Sequence, residues 1–270
     1  MTSPNTVAVL SYHSVSARTT PGFARLTVEP SLFAEQIAAL CEQNLDVIAF
    51  DAVPDALATG RRAVAISIDD GLADAGNNAC PVLSRQGMPA TLFVPSGYVG
   101  RRAGWLRGPD GLRPMLDWNA IGSLARDGFE IGSHGRMHLA ADLNPPELIE
   151  RDARESRIEL EDAIGHAVRS FAYPFGYHSA FARRAVRAAG YRQACAVGDL
   201  PARPGDDRWA LPRLQVFNDT TPEAVAAMVT DRPAFTTRAW AHSKQRVWHL
   251  GRRCAGWGPP EAGRVRGALR

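Results

Sequence analysis

Cysteine is scarce in this sequence, and long apolar runs are absent from it. The 270 residues include four scattered cysteines, Cys41, Cys80, Cys195 and Cys254. They form no C-x-x-C pair and no zinc-finger spacing, which excludes a disulfide scaffold and a cysteine-based metal site. No stretch of about 20 apolar residues occurs, which excludes a transmembrane helix. Because the first residues are polar and no basic segment precedes an apolar run, we expect no signal peptide and a cytoplasmic protein.

Strong charge of one sign is also missing. The formal net charge is +3, and the basic excess lies mainly in the tail, at Arg246, Arg252, Arg253, Arg264, Arg266 and Arg270. Such a tail can make peripheral contact with an anionic membrane, although a solvated tail is the commoner case. Without interleaved aromatic stacking motifs, we expect no nucleic-acid partner.

Apolar strand-like runs alternate with helical patterns, which predicts an α/β fold with parallel strands. Strands are predicted at residues 6–12, 63–68, 90–94, 129–132, 171–174, 193–197 and 211–217, and helices at 30–42, 79–86, 118–126, 147–164, 180–189 and 222–229. One barrel of about 250 residues would nearly use up the chain. We therefore predict one domain over residues 1–232 and a basic Gly/Arg/Pro-rich tail over 233–270, with a composition typical of disorder.

Polar residues that could carry chemistry follow the predicted strands, and the carboxyl ends of parallel strands are where active sites lie. Asp69 and Asp70 come directly after an apolar strand. Two adjacent carboxylates repel each other unless a cation neutralises one of them. A helix-capping or turn role for Asp70 is an equally good interpretation of the pair alone.

Two histidines four residues apart, His134 and His138, follow the short strand at residues 129–132. Two imidazoles and one carboxylate form the three-ligand set of a catalytic zinc ion. The alternative is two unrelated polar loop residues, but the earlier Asp69–Asp70 pair favours a metal site.

Three further candidates are weaker when each is taken alone. His13 follows the first strand and could donate a proton, although a structural histidine is the commoner case. The turn Phe171–Gly176 could present a backbone N–H to an oxyanion, or be a structural turn rich in aromatics. Arg213, at the start of the last predicted strand, could pair with a carboxylate, or be simply exposed.

Together these segments resemble the NodB-homology polysaccharide deacetylases, carbohydrate esterase family 4, over about Val9 to Val216. Ser67–Gly71 resembles the T-F-D-D-G motif, and His134–His138 resembles H-[ST]-x-x-H, with Gly135 at the Ser/Thr position. Phe171–Gly176 resembles R-x-P-[FY]-G, with alanine where the arginine usually stands.

The resemblance implies a distorted (β/α)7 barrel and a divalent metal ion, often zinc. It implies that Asp70, His134 and His138 are the metal ligands and that Asp69 is the catalytic base. It also assigns the backbone N–H of Phe175 to the oxyanion site. The implied reaction is hydrolysis of the acetamide of an N-acetylated sugar or glycan.

Two departures from the family pattern lead to two further hypotheses. The Leu-x-His motif that carries the catalytic acid has no convincing match; His242 lacks its context. Tyr12–Val15 instead resembles the Y-H-x-[VI] segment of the poly-N-acetylglucosamine deacetylase branch, in which this histidine, here His13, is the acid. For the missing motif arginine, we hypothesise that Arg213 takes its place beside Asp69.

Two other functions stay open at this point. One is an amidohydrolase of the same fold acting on a non-sugar amide, and the other is a glycan-binding protein that has lost catalysis. The aromatic residues Tyr98, Trp105 and Trp118, in or beside the glycine-rich loop at residues 96–117, could stack on sugar rings, or could simply pack over the barrel.

Overall fold

The structure is a computed structural model that describes residues 6–230. The predicted tail at 233–270 and its predicted membrane contact lie outside the described residues. Within residues 6–230, no helix has the length and apolar character needed to cross a membrane.

The strands are β1 (Ala8–Tyr12), β2 (Ser14–Val15), β3 (Thr27–Val28), β4 (Asp46–Ile48), β5 (Ala63–Ile68), β6 (Thr91–Val94), β7 (Glu130–Ser133), β8 (Ser170–Ala172), β9 (Gln193–Val197) and β10 (Leu211–Gln215). The α-helices are α1 (Pro30–Cys41), α2 (Val53–Thr59), α3 (Cys80–Arg85), α4 (Trp118–Arg126), α5 (Pro146–Ile164), α6 (Ala180–Ala188) and α7 (Pro222–Thr230). A short π-helical turn, Ala75–Ala79, leads into α3.

Seven parallel strands close into a barrel in the order β1-β10-β9-β8-β7-β6-β5, and β1 pairs with β5 to complete the ring. The predicted distorted (β/α)7 barrel is confirmed. The distortion lies at β5, where residues 63–65 pair with β4 and only Ser67 and Ile68 pair with β6. One edge of β5 pairs with β1 along its length. The opposite edge of β5 is therefore divided between β4 and β6.

Alternation along the strands separates a barrel interior from a layer under the helices, because successive strand side chains point to opposite faces. On β5, Val64 and Ile66 belong to the large core shared with the helices, while Ala63 and Ala65 belong to a smaller inner cluster with Phe93. Several inner strand positions are small, among them Ala63, Ala65, Ala172 and Cys195, and the Phe93 ring packs with them. A Cβ at Gly132 would lie 2.5 Å from the Phe93 ring, so this strand position needs glycine.

The predicted strands and helices are present, with ends that shift by a few residues. The short elements β2, β3, β4 and α2 were not predicted. In β4, only Ile48 is buried, so the strand shows no apolar periodicity. The predicted loop at 96–117 contains two short 3-10 helices, Ser96–Tyr98 and Gly108–Leu112.

Candidate active site

A cleft of about 260 Å³ lies at the carboxyl ends of the barrel strands. All of the predicted catalytic residues and metal ligands line it: His13, Asp69, Asp70, His134, His138, Phe175 and Arg213. The fold therefore brings together side chains that are up to 200 positions apart along the chain, as expected when parallel strands end at one edge.

Strand alternation places Asp69 in the barrel interior, since it continues the inward series of Ala63, Ala65 and Ser67. Arg213, on β10, extends across the interior and donates two hydrogen bonds to the Asp69 carboxylate, at 2.6 and 2.7 Å. It also donates to Ser67 Oγ at 3.1 Å. Both partners are almost completely buried, with side-chain exposures of 1% and 3%.

The charge state of this pair follows from burial and attraction acting in opposite directions. Burial raises the pKa of Asp69, but the Arg213 guanidinium more than offsets this, so the pKa lies well below its usual range. Burial likewise disfavours the charged form of Arg213, but the Asp69 carboxylate raises its pKa above the ordinary value. Asp69 is therefore an ionised carboxylate although its side chain is buried.

Asp70 reaches the same cleft only because the backbone leaves the strand geometry. Alternation would point its side chain toward the helix layer, but Asp70 and Gly71 both adopt left-handed backbone angles, with φ of 72° and 61°. This turn directs two neighbouring carboxylates into one cleft. Gly71 also packs against Val94, where a Cβ would approach the valine side chain to 3.2 Å.

Asp70, His134 and His138 form a buried cluster in which one ligand atom from each lies within 4.8 Å of the others. Asp70 Oδ1 is 3.2 Å from His138 Nε2 and 3.6 Å from His134 Nε2. Zinc binds nitrogen and oxygen at about 2.1 Å, so two ligands of one ion lie no more than about 4.2 Å apart. Both separations from Asp70 satisfy that limit, while the 4.8 Å span of the whole cluster exceeds it by about 0.6 Å, so the ligand atoms would close slightly around a shared ion.

The protonation state of His134 also suits a ligand. Its Nδ1 lies 2.8 Å from the carbonyl oxygen of Ala172, and donation to that oxygen leaves Nε2 with a free lone pair facing Asp70. Burial lowers the pKa of His134 to about 4, so the ring is neutral at pH 7. The donor set therefore fits a divalent metal ion.

The ring of His138 is fixed by packing on three sides. Trp105 stacks on it with centroids 4.5 Å apart and an interplanar angle of 18°, and Phe175 contacts it edge-on at 4.8 Å. The His134 ring lies at 4.9 Å. Trp105 is 4% exposed, so its ring is occupied by this contact, whereas Trp118 is 38% exposed.

The loop that carries Trp105 is tied to the strand ends by backbone hydrogen bonds. Leu116 N–H donates to Gly71 at 2.9 Å, and Ala73 N–H donates to Pro114 at 2.9 Å. Packing over the barrel is therefore the better account of Trp105, and the sequence alone did not assign it to His138. The sequence feature that could have indicated this contact was a tryptophan in a loop that follows a buried strand, because such loops lie at the active-site end of a barrel.

His13 and Phe175 lie on the walls of the cleft. His13 is close enough to both aspartates to interact with them electrostatically, and its ring meets Phe23 edge-on at 6.4 Å. Phe175 and Gly176 are both left-handed, with φ of 62° and 72°. A Cβ at Gly176 would lie 2.1 Å from the Val197 side chain, so the turn needs glycine there. The roles of His13 and Phe175 stay predictions.

The fold and the cleft define a parallel barrel with a candidate metal centre at its strand ends. A family model described as polysaccharide deacetylase matches residues 56–194, just over half of the chain. The chain therefore belongs to the polysaccharide deacetylase family, which confirms the resemblance carried by the motifs.

Individual relatives are distant. YxkH of Bacillus subtilis (strain 168), a protein named as a polysaccharide deacetylase, is 23% identical over 168 residues, which cover 62% of this chain and 56% of that protein. The alignment thus spans little more than half of this relative's length.

Two solved structures share the fold. A deacetylase from Streptococcus pyogenes, PplD, in complex with acetate, has a TM-score of 0.75 and 19% identity, covering 86% of this chain and 100% of that one. IcaB from Ammonifex degensii has a TM-score of 0.71 and 24% identity, covering 83% and 97%.

Proposed function

We propose that this protein is a metal-dependent N-deacetylase that hydrolyses the acetamide of an N-acetylated sugar or polysaccharide and releases acetate. One observation carries the proposal: a buried Asp70–His134–His138 cluster shares a cleft with a separate carboxylate, Asp69, that Arg213 keeps ionised. A binding protein has no use for a second ionised carboxylate beside the cluster, because it transfers no proton. Family membership supports the choice of a carbohydrate amide.

Asp70, His134 and His138 would hold the ion, which we propose to be zinc because two imidazoles and a carboxylate are a common catalytic zinc set. When bound, the metal supplies Lewis-acid chemistry, polarising the acetamide carbonyl and lowering the pKa of water. Each ligand is buried, and one ligand atom from each lies within 4.8 Å of the others.

The protein's own groups perform the proton transfers. Asp69 accepts a proton from the attacking water as the new C–O bond forms, and Arg213 holds Asp69 in the orientation and charge state for that step. The backbone N–H of Phe175 donates to the oxygen that gains negative charge. His13 gives a proton to the sugar nitrogen as the C–N bond breaks, so the products are acetate and a free amine.

The size of the cleft limits what it encloses. Its volume of about 260 Å³ lies just below the range of roughly 300–1,000 Å³ that is usual for ligand pockets. We therefore propose that it holds the acetamido group and the adjoining ring, while the rest of a glycan lies outside. Placement in the poly-N-acetylglucosamine deacetylase branch rests on the Tyr12–Val15 resemblance and belongs to the same proposal.

The test compares wild type with Asp69→Asn on N-acetylglucosamine oligomers, with zinc content and acetate release measured for both. Asn has the shape of Asp but accepts no proton, so we expect zinc uptake to be kept and acetate release to fall by 10²-fold or more. Zinc-loaded wild type that releases no acetate from these oligomers but cleaves a non-sugar amide would support the alternative amidohydrolase. Glycan binding without any turnover would support an inactive binding protein.

A further inference from the structure

The turn between His134 and His138 is irregular and needs outside partners. Its first residue, Gly135, has a φ of 73°, and His138 itself has a φ of 52°. Because the turn is not helical, its backbone N–H groups are not satisfied by a helix of their own. Whatever binds these N–H groups therefore sets where His138 lies relative to His134.

Asp152, on α5, accepts hydrogen bonds from two successive N–H groups of this turn. Arg136 N–H donates to one carboxylate oxygen at 2.9 Å, and Met137 N–H donates to the other at 2.8 Å. Asp152 is only 7% exposed. A buried carboxylate that accepts from two neighbouring amides resembles an anion held in a backbone nest and fixes both peptide planes.

Gly135 and Asp152 are matched to each other. A Cβ at position 135 would lie 2.5 Å from Asp152 Oδ2, so no other residue fits there while the carboxylate keeps its place. The motif that this segment resembles has serine or threonine at that position. In this chain the space for that side chain is filled by a carboxylate that comes from the neighbouring helix.

We propose that Asp152 is a positioning residue for the metal centre, holding His138 beside His134 and Asp70 so that the three can share one ion. The inference rests on the proposed metal-dependent function. Asp152 acts through the backbone amides of residues 136 and 137, the two residues that precede His138. In this role it does not contact substrate. Groups that orient metal ligands typically contribute 10- to 100-fold in metal affinity.

The same helix offers a matched control. Glu159 lies seven residues after Asp152 and contacts the same turn, but through the side chain of Arg136, at 2.7 Å from Nε. It also accepts from Ser96 Oγ. A change at Glu159 therefore alters the polar surroundings of the turn without removing a partner of its backbone amides.

The experiment measures the Zn²⁺ affinity of the full chain by competition with a chromophoric chelator, for wild type, Asp152→Ala, Asp152→Asn and Glu159→Gln. We expect Asp152→Ala to weaken affinity 10- to 100-fold and Glu159→Gln to change it less than threefold. Asp152→Asn keeps one acceptor and presents an N–H₂ group to the other amide, so we expect an intermediate loss. In the Co²⁺ forms, the visible absorption of the Asp152 variants should differ from that of wild type.

Three outcomes overturn the inference. The first is a Zn²⁺ affinity of Asp152→Asn equal to that of wild type. This result alone overturns the inference if Asp152→Ala does not fold. The second is an Asp152 variant that loses metal-free stability but keeps its Zn²⁺ affinity and Co²⁺ spectrum, because that result describes a structural role only. The third is a wild-type chain that takes up no Zn²⁺, which also overturns the proposed function; zinc uptake with acetate release by wild type keeps that function whatever the Asp152 variants do.

Discussion

Replacing Arg213 with methionine tests the ion pair on which the electrostatics of the site depend. Arg213 and Asp69 are joined by two hydrogen bonds, at 2.6 and 2.7 Å, in the barrel interior. Methionine fills part of the volume of the arginine stem but leaves the carboxylate without its charged partner. Removing one member of a buried pair usually costs about 3–5 kcal/mol, so we expect a loss of that size in the free energy of unfolding at pH 7.

A surface pair provides the comparison. Arg61 Nε lies 2.6 Å from Asp46, the same distance as in the buried pair, but the two side chains are 50% and 56% exposed. Exposed pairs contribute about 0–1 kcal/mol, because water screens the charges. Arg61→Met should therefore cost less than about 1 kcal/mol. Because the shortest N–O distance is the same in both pairs, the contrast reports mainly on burial and on the additional hydrogen bonds of Arg213.

The dependence on pH has a definite sign. In wild type the pKa of Asp69 is held below its ordinary value, so the stability from this pair is present above about pH 4 and is lost as pH falls through the folded-state pKa. In Arg213→Met, the main group that opposes burial is gone and the pKa of Asp69 rises, so the variant loses stability as pH rises above about 4. The difference between the two proteins should widen from pH 4 to pH 7.

Urea unfolding of the metal-free proteins at pH 4 and pH 7 measures these differences. The double variant Asp69→Asn/Arg213→Met removes the stranded charge and should recover much of the loss, which gives a favourable coupling energy between the two positions. The reasoning is wrong if Arg213→Met costs no more than Arg61→Met at pH 7. It is equally wrong if the loss is the same at both pH values.

Three further predictions concern other parts of the barrel. Burial raises the pKa of Glu130 from 4.5 to about 7, so the folded state binds this proton more tightly and stability falls as pH rises through that window. At pH 8 the free energy of unfolding of Glu130→Gln, measured with urea, should therefore exceed that of wild type by up to about 3 kcal/mol. This difference should disappear by pH 4. Gly176→Ala should destabilise the fold by about 3 kcal/mol or more, because its Cβ meets Val197 in a left-handed turn; an unchanged melting temperature would contradict this. Trp105→Ala should weaken Zn²⁺ binding measured by chelator competition, since it removes the ring stacked on His138, whereas Trp118→Ala, at an exposed position, should not.

Sequence periodicity predicted the strands, and with them that Asp69 follows the end of one. Alternation from Ala63 through Ala65 and Ser67 leads directly to an inward-facing Asp69, and the same period carries Arg213 to the interior of β10. The sequence alone did not say which face of these strands points into the barrel. The pairing of the two residues was only a hypothesis, because the sequence does not say which inward-facing residues on different strands lie at the same height.

Other contacts could not be predicted, because they depend on irregular backbone. Trp105 reaches His138 through a loop whose course is set by hydrogen bonds to the strand ends. Asp152 left a signal that was not used: it lies on the buried stripe of α5 with Ile149, Ala153, Ser156 and Leu160. An acidic residue on the core-facing side of an amphipathic helix needs a buried partner. Which partner it finds depends on the turn at Gly135.

The backbone itself marks the cleft independently of the family motifs. Five non-glycine residues among those described have positive φ, and Asp70, His138 and Phe175 account for three of them. Such conformations cost of order 1–3 kcal/mol each and persist only where the surrounding structure enforces them. Strand alternation and relaxed turns would have scattered these three side chains, yet all of them line one cleft. Because stability alone gives no reason to concentrate strain at one end of a barrel, the distribution indicates a site whose geometry serves chemistry.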